Sequence, residues 1–390
     1  MKKSLNILLV HNFYQNSGGE DSVFFNEYNM LMNAGHNVIK YTEDNSDIKK
    51  MNIFQKMFLP FTMIYSFKTK RNIKKIIKEN NIDIIHVHNI LNLISPSVFY
   101  IAKKMNIPIV QTIHNFRYLC PNGLFYRDSH ICEECPNKGL KCSIKHNCYR
   151  GSKLQTIINV LMLKIHRKTK IYKSVNFIFL TEFNKDKFTQ YNKSLNIFDT
   201  NKFYVKPNFI TSKDQHNNFL FLEKKNQYIY VGRTEKEKGI FDLVKIWENV
   251  TDAKLIICGS GSLDNQIKNL IQEKHLNVEH KGFMPHEKVF EEISQSIALI
   301  FPSTCYEGFP MTLIESLNMN IPVIARNIGN ASSIVNKESG LLYDTEKEFI
   351  EIINKGKIKG IKPQINKLYL EKDNYLELEN IYKNIMEEKK

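Results

Sequence analysis

The sequence predicts an α/β protein built from two doubly wound, parallel-sheet domains. Three observations carry that expectation. The chain has 390 residues, too many for one core at about 100 to 200 residues per domain. Short apolar runs alternate with longer amphipathic segments, the rhythm of strands and crossover helices. That rhythm breaks over one polar stretch and then restarts, which divides the chain in two.

Residues 5–10 form the first apolar run, followed by a glycine turn at Gly18-Gly19 and a helical stretch from Asp21 to about Ala34. Further strands are read at 37–41, 82–87, 107–112 and 175–180, which complete a first domain over 1–210. Residues 211–225 are polar and poorly periodic, as a linker is. A second domain over 226–370 repeats the pattern at 228–231, 254–258, 278–281, 298–301 and 322–325. In the tail, 371–390, the spacing of Leu376, Leu378, Ile381, Tyr382 and Ile385 predicts an amphipathic helix, expected to pack back on the first domain. Two such domains are expected to face each other across a cleft.

Net charge is +15, unevenly placed: residues 1–210 hold 31 Lys and Arg against 14 Asp and Glu, residues 211–390 hold 24 against 26. The basic half is therefore expected to meet an anionic partner. Met1-Lys2-Lys3-Ser4 leads straight into the first strand, without the apolar stretch of an export signal. The longest uncharged apolar stretch, 57–67, contains Pro60 and is well short of the roughly 20 residues that span a bilayer. A cytoplasmic protein is expected.

Two segments carry chemistry. After the run 228–231 comes Gly232-Arg233-Thr234-Glu235-Lys236-Glu237-Lys238-Gly239, then a helix from about Ile240. Two cations at the carboxyl end of a parallel strand, beside a helix N-terminus, suit a diphosphate. A charged surface loop is the plain alternative. The second segment runs from Pro302 to Glu315, with Glu307 and Glu315 eight apart, Gly308 allowing close backbone approach and Pro310 opening a helix. Its carboxylates can accept hydrogen bonds from sugar and ribose hydroxyls while backbone N–H groups hold phosphate oxygens.

The run Gly232–Gly239, Gly259-Ser260-Gly261 after a strand, Pro302-Ser303, the Glu307-Gly308-Phe309-Pro310 stretch and the Glu307/Glu315 pair together resemble the retaining glycosyltransferases of family 4, which have the GT-B fold. The resemblance implies that Arg233 and Lys238 bind the donor diphosphate, that Glu307 contacts the transferred sugar and that Glu315 contacts the ribose. It places Gly308, Phe309, Met311 and Thr312 along the same site. It also matches Gly18-Gly19, followed by Glu20, to a glycine-rich loop that approaches donor phosphate or acceptor, an ordinary turn being the alternative. His114, at the end of the run 107–112, matches a histidine near the reacting centre, where it can donate to a sugar hydroxyl or relay a proton. His86 and His88 compete for that role. Departures from the pattern are Gly329-Asn330-Ala331 where a Gly-Gly-x-Pro-Glu turn is common, Asn320 where Gly is usual and Phe209 after Asn208.

Residues 115–150 form a cysteine-rich insertion in the first domain. A Cys-x-x-Cys knuckle flanked by further thiols can close a tetrahedral zinc site. A subgroup of the family carries thiols matching Cys120, Cys132, Cys135 and Cys148, which implies a structural zinc there, with Cys142 spare and unligated thiols in a packed loop as the alternative. Residues 49–78 and 153–173 interleave lysines and arginines with bulky apolar residues, among them Phe54, Phe58 and Phe61, then Leu161, Met162 and Leu163. Such a surface suits an anionic membrane; a basic face over core-facing apolar residues is the alternative.

The expectation is a retaining transferase that moves a sugar from a nucleotide-diphosphate sugar to a saccharide or polyprenyl-linked acceptor. It would serve surface polysaccharide or glycolipid assembly, peripheral on the inner face of the plasma membrane. No cofactor is expected for catalysis, and the chain has no Asp-x-Asp metal motif. A nucleic-acid-binding protein using the knuckle is a rival, against which Glu133-Glu134 make the knuckle acidic; another GT-B enzyme, such as a nucleotide-sugar epimerase, is a second.

Overall fold

A computed structural model describes residues 4–15, 18–212 and 223–388. Most of the expected linker lies outside the described residues. The chain forms two compact units, one of residues 1–123, 133–208 and 371–390, the other of residues 124–132 and 209–370. The cysteine-rich insertion is thus divided between them, and the C-terminal helix Glu371–Glu387 belongs to the first.

The first unit is a six-stranded sheet of β1 (Asn6–Phe13), β2 (Asn37–Asp44), β3 (Ile84–Val87), β4 (Ile109–Ile113), β5 (Asn176–Phe179) and β6 (Phe203–Val205). The order is β2-β1-β3-β4-β5-β6, all parallel. β3, β4 and β5 are buried along their whole length, as strands covered by helices on both faces must be, so they read as continuous apolar runs rather than alternating ones.

The second unit is a parallel sheet of β7 (Gln227–Val231), β8 (Lys254–Cys258), β9 (Val278–Gly282), β10 (Ala298–Phe301), β11 (Val323–Arg326) and β12 (Gly340–Tyr343). Its order is β9-β8-β7-β10-β11-β12, and separate apolar clusters pack around Ile229 and Leu313 and around Trp247 and Phe349. In such sheets ligands bind beyond the carboxyl ends of the strands where the order reverses. Here that point lies between β7 and β10, the two strands that lead into the chemistry-bearing segments.

Every strand read from the sequence is present, with ends shifted by a few residues at most. β6, β12 and a small hairpin, Tyr126–Arg127 with His130–Ile131, are additional.

Candidate functional site

In the second unit the loops after β7 and β10 are fastened together. Thr304 donates its backbone N–H to the Glu237 carbonyl at 3.0 Å, and the Ser303 hydroxyl reaches the same oxygen at 3.3 Å. Gly239 closes the contact. Its φ is +68°, and a Cβ there would lie 2.1 Å from the Pro302 carbonyl oxygen, so only glycine fits.

This fastening brings two of the expected residues into direct contact. Lys238 Nζ lies 2.6 and 2.8 Å from the two Glu307 carboxylate oxygens, and Ser303 Oγ donates to Glu307 Oε1 at 2.8 Å. Both side chains are about four-fifths buried. Burial pulls the Lys238 ammonium toward deprotonation, but the Glu307 charge outweighs it and the pKa is raised. Beside them, burial and the Glu307 charge push the Cys305 thiol up to about 12, so it is an inert neighbour. Arg233 is the exposed member of the group, with its side chain 66% accessible and 3.3 Å from Glu237.

Glu315 sits on the helix Met311–Asn318, which Pro310 precedes, and its carboxylate is 3.7 Å from His286 Nε2. The Met311 and Thr312 N–H groups belong to the first turn of that helix and have no backbone acceptor among the described residues, which leaves them able to hold an anion. Phe309 packs against the apolar cluster.

Three contributors escaped the sequence reading. Asn330, fully buried, donates to the carbonyl oxygens of both Glu307 and Gly308, the latter at 2.8 Å. The residue that departs from the family turn therefore clamps the backbone carrying Glu307. Tyr126, from the hairpin in the cysteine insertion, accepts from Thr304 Oγ1 at 3.3 Å. His286 faces Glu315. All three act through contacts distant in sequence, so no local pattern marks them. The departure at Asn320 has a simple cause: its φ is +56°, a conformation glycine takes freely and asparagine tolerates.

In the first unit, Gly18 precedes the helix Gly19–Asn33 and donates its N–H to Asp21 at 3.2 Å. A Cβ on Gly18 or Gly19 would meet nothing within 4 Å, so the space beside the turn is open. His114 and its competitor His88 are in contact, Nε2 to Nδ1 at 3.1 Å. Burial, then the neighbouring imidazoles, hold His114 well below the usual histidine range; burial lowers His88 to about 4. Both line a pocket with Glu20, Arg117, Leu91 and Leu163. Burial raises the Glu20 pKa, and Tyr14 donates to its carboxylate at 2.7 Å.

Among the thiols, Cys135 is hydrogen-bonded to Cys120, and this bond and burial raise its pKa, with Cys148 and Cys142 adding to the rise. Three or more thiols do not converge to within 4.8 Å among the described residues, and Cys132 belongs to the segment grouped with the second unit.

The basic, apolar stretches resolve differently from each other. Helix Ile53–Ile64 starts at a capping box between Asn52 and Gln55 and buries only Met63. Ile53, Phe54 and Phe61 are 82, 72 and 69% exposed. On the helix Lys153–Lys168, which packs beside it, Met162 and Leu163 turn inward while Leu154, Leu161 and Ile165 stay exposed. Among the described residues no helix is long and apolar enough to cross a membrane.

Comparison with known proteins bears on the family and the fold. Residues 17–141 match the model of Glycosyltransferase Family 4, and residues 211–362 that of Glycosyl transferases group 1. An amylovoran biosynthesis glycosyltransferase of Erwinia amylovora is 32% identical over 127 residues, 32% of this chain and 36% of that protein. A capsular polysaccharide biosynthesis glycosyltransferase of Staphylococcus aureus is 30% identical over 155 residues, 36% of this chain and 35% of that one. The chain thus spans about a third of the length of these curated relatives. An Anabaena protein solved in complex with UDP has a TM-score of 0.62 at 14% identity, covering 98% of this chain and 99% of its own, which shows a shared fold. With two Rossmann-like sheets and both family models matched in order, the chain belongs to the family 4 type of glycosyltransferases with the GT-B fold.

Proposed function

We propose that this chain is a retaining glycosyltransferase, independent of metal in catalysis, that moves a sugar from a nucleotide-diphosphate sugar to a saccharide or polyprenyl-linked acceptor in surface polysaccharide or glycolipid assembly. The single observation that carries the reading is the Lys238–Glu307 pair, held by Ser303 and Asn330 at the point where the second sheet reverses its strand order. A buried cation next to a carboxylate can meet a phosphate and a sugar hydroxyl side by side. The UDP-bound Anabaena neighbour and the polysaccharide-assembly relatives support the same class of donor and product.

In the proposed reaction an acceptor hydroxyl attacks the anomeric carbon from the face of the leaving group. The bond from that carbon to the diphosphate oxygen breaks, and the hydroxyl proton passes to the departing diphosphate. Charge develops on the leaving oxygens, where Arg233, Lys238 and the N–H groups of Met311 and Thr312 stabilise it. Nucleotide-diphosphate sugars are screened with lipid-linked and free saccharides for release of nucleoside diphosphate that requires acceptor. Release without acceptor, or a product of inverted anomeric configuration, overturns the reading.

The exposed face of helix Ile53–Ile64, with lysines around it, supports a membrane-bound acceptor. Vesicles containing phosphatidylglycerol are expected to retain the protein, less so at 0.5 M salt, because charge attraction is screened over about 10 Å or less at such ionic strengths. Replacing Phe54, Phe58 and Phe61 by Ser is expected to abolish retention without unfolding. Equal retention on neutral vesicles, or by the triple variant, removes the membrane from the proposal. The Cys120–Cys135 contact supports a structural zinc held by cysteines of the insertion; folded protein that purifies without zinc ends that part.

A further inference from the structure

The carboxyl end of the first sheet carries a column of histidines on neighbouring strands. His86 and His88 come from β3 and its end, and His114 follows β4. Their rings stack, His86 on His88 at 4.8 Å and His88 on His114 at 5.3 Å, each pair within 20° of parallel. At the foot of the column lies Glu27, from the helix Gly19–Asn33, 1% exposed. Its Oε1 is 2.9 Å from His86 Nδ1 and 3.3 Å from His88 Nε2, and its Oε2 is 3.3 Å from Lys206 Nζ. Lys206 also donates to Asn374 of the C-terminal helix at 2.8 Å.

Glu27, His86 and His88 have the spacing of a metal site, but their surroundings do not suit a cation. The Lys206 ammonium already balances the carboxylate. Both His86 nitrogens are engaged, Nδ1 with Tyr382 OH at 2.6 Å and Nε2 with Thr112 Oγ1 at 2.8 Å. What remains is a pair of buried atoms 3.3 Å apart, Glu27 Oε1 and His88 Nε2, neither of which makes a hydrogen bond; His86 Nδ1, the other group near that oxygen, is taken up by Tyr382.

The protons in this column can be assigned by elimination. Although burial opposes it, His86, Lys206 and His88 hold Glu27 well below the usual carboxylate range, so it is ionised and can only accept. Burial keeps His88 and His114 neutral, with one N–H each. The His88 nitrogen that faces the carboxylate carries its hydrogen, because a lone pair there would meet a negative charge. His88 Nδ1 is then bare, and the hydrogen between the two rings, 3.1 Å apart, sits on His114 Nε2.

We propose that Glu27, acting through His88, fixes His114 as the Nε2–H tautomer, so that His114 offers the bare Nδ1 to the pocket as an acceptor for a substrate hydroxyl hydrogen. Glu27 and His88 are positioning residues in this scheme; only His114 touches substrate. The inference rests on the proposed transferase reading and on the place near the reacting centre that the family resemblance implies for His114, yet the tautomer is measured without substrate.

Protein labelled with ¹⁵N-histidine is examined by long-range ¹H–¹⁵N NMR at neutral pH, with His114 assigned by its loss in His114→Gln. The expected spectrum shows His114 protonated at Nε2. A His114 protonated at Nδ1 overturns the proposal outright. In the charge-balanced double variant Glu27→Gln/Lys206→Met, His114 is expected to become a mixture of tautomers. With a turnover assay in hand, its kcat is expected to fall about tenfold or more at unchanged donor KM. A folded double variant with wild-type tautomer and kcat also overturns it; one that fails to fold leaves the wild-type spectrum to decide. Full turnover in His114→Gln would remove the catalytic reading of His114 while leaving the tautomer assignment standing.

Discussion

At the scale of single residues, the second unit invests most in holding Glu307. Lys238 pairs with its carboxylate, Ser303 donates to it, and Asn330 fixes its backbone. Removing one partner of a largely buried ion pair strands the other charge, at a cost of up to about 3 kcal/mol for side chains that keep some contact with water. Lys238→Met and Glu307→Gln are therefore each expected to lower the urea midpoint, and the double variant to recover most of it. Turnover should behave differently. Each single variant is expected to lose about 100-fold or more in kcat, and the double variant to recover none. Recovered activity in the double variant would mean that the pair only packs.

At the scale of elements, the loops after β7 and β10 work as one piece because Gly239 admits the Pro302 carbonyl. Gly239→Ala forces a Cβ into that oxygen and a side chain into left-handed backbone, so a loss of at least about 2 kcal/mol in urea unfolding is expected. A raised donor KM should accompany it, because Lys238 precedes the glycine. A variant that unfolds at the wild-type midpoint would show that the two loops are held by other means. This piece was legible in the sequence, since strand, glycine and charge follow one another within each segment, and the strands 254–258 and 298–301 were read with the ends the structure has. β12 was not, because Gly340–Tyr343 has only the two aliphatic residues Leu341-Leu342 between a glycine and a tyrosine, too brief an apolar run to stand out as a strand. Whether Phe54 and Phe61 were core or surface was also undecided, because periodicity shows that a helix has an apolar face and not what covers it. Glu27 escaped for the opposite reason: it is an acidic residue in an amphipathic helix, and only the fold brings His86, His88 and Lys206 around it.

At the scale of the whole molecule, the two units differ in how they keep their ionisable groups. The first buries His88, His114 and His166, all lowered by burial, whereas the second buries its cation Lys238 against a carboxylate. A histidine whose folded pKa is depressed contributes stability that is fully present above its unfolded value near 6.5 and is lost as pH falls toward the folded value. For His88, which falls from 6.5 to about 4, the loss at pH 5 is about 2 kcal/mol. Glu27 adds a second loss in more acid solution, since a lowered carboxylate contributes above its unfolded pKa and fails as pH falls through the folded one. The single tryptophan, Trp247, is buried in the second unit and reports on that unit alone. Between pH 7 and pH 5, Trp247 fluorescence is expected to follow urea unfolding at nearly constant midpoint, while the part of the circular dichroism change it does not follow moves to lower urea. Parallel movement of both signals would place the acid sensitivity outside the histidine column. If neither moves, His88 and His114 are not held neutral by burial, and the proton assignment that runs from Glu27 to His114 loses its basis.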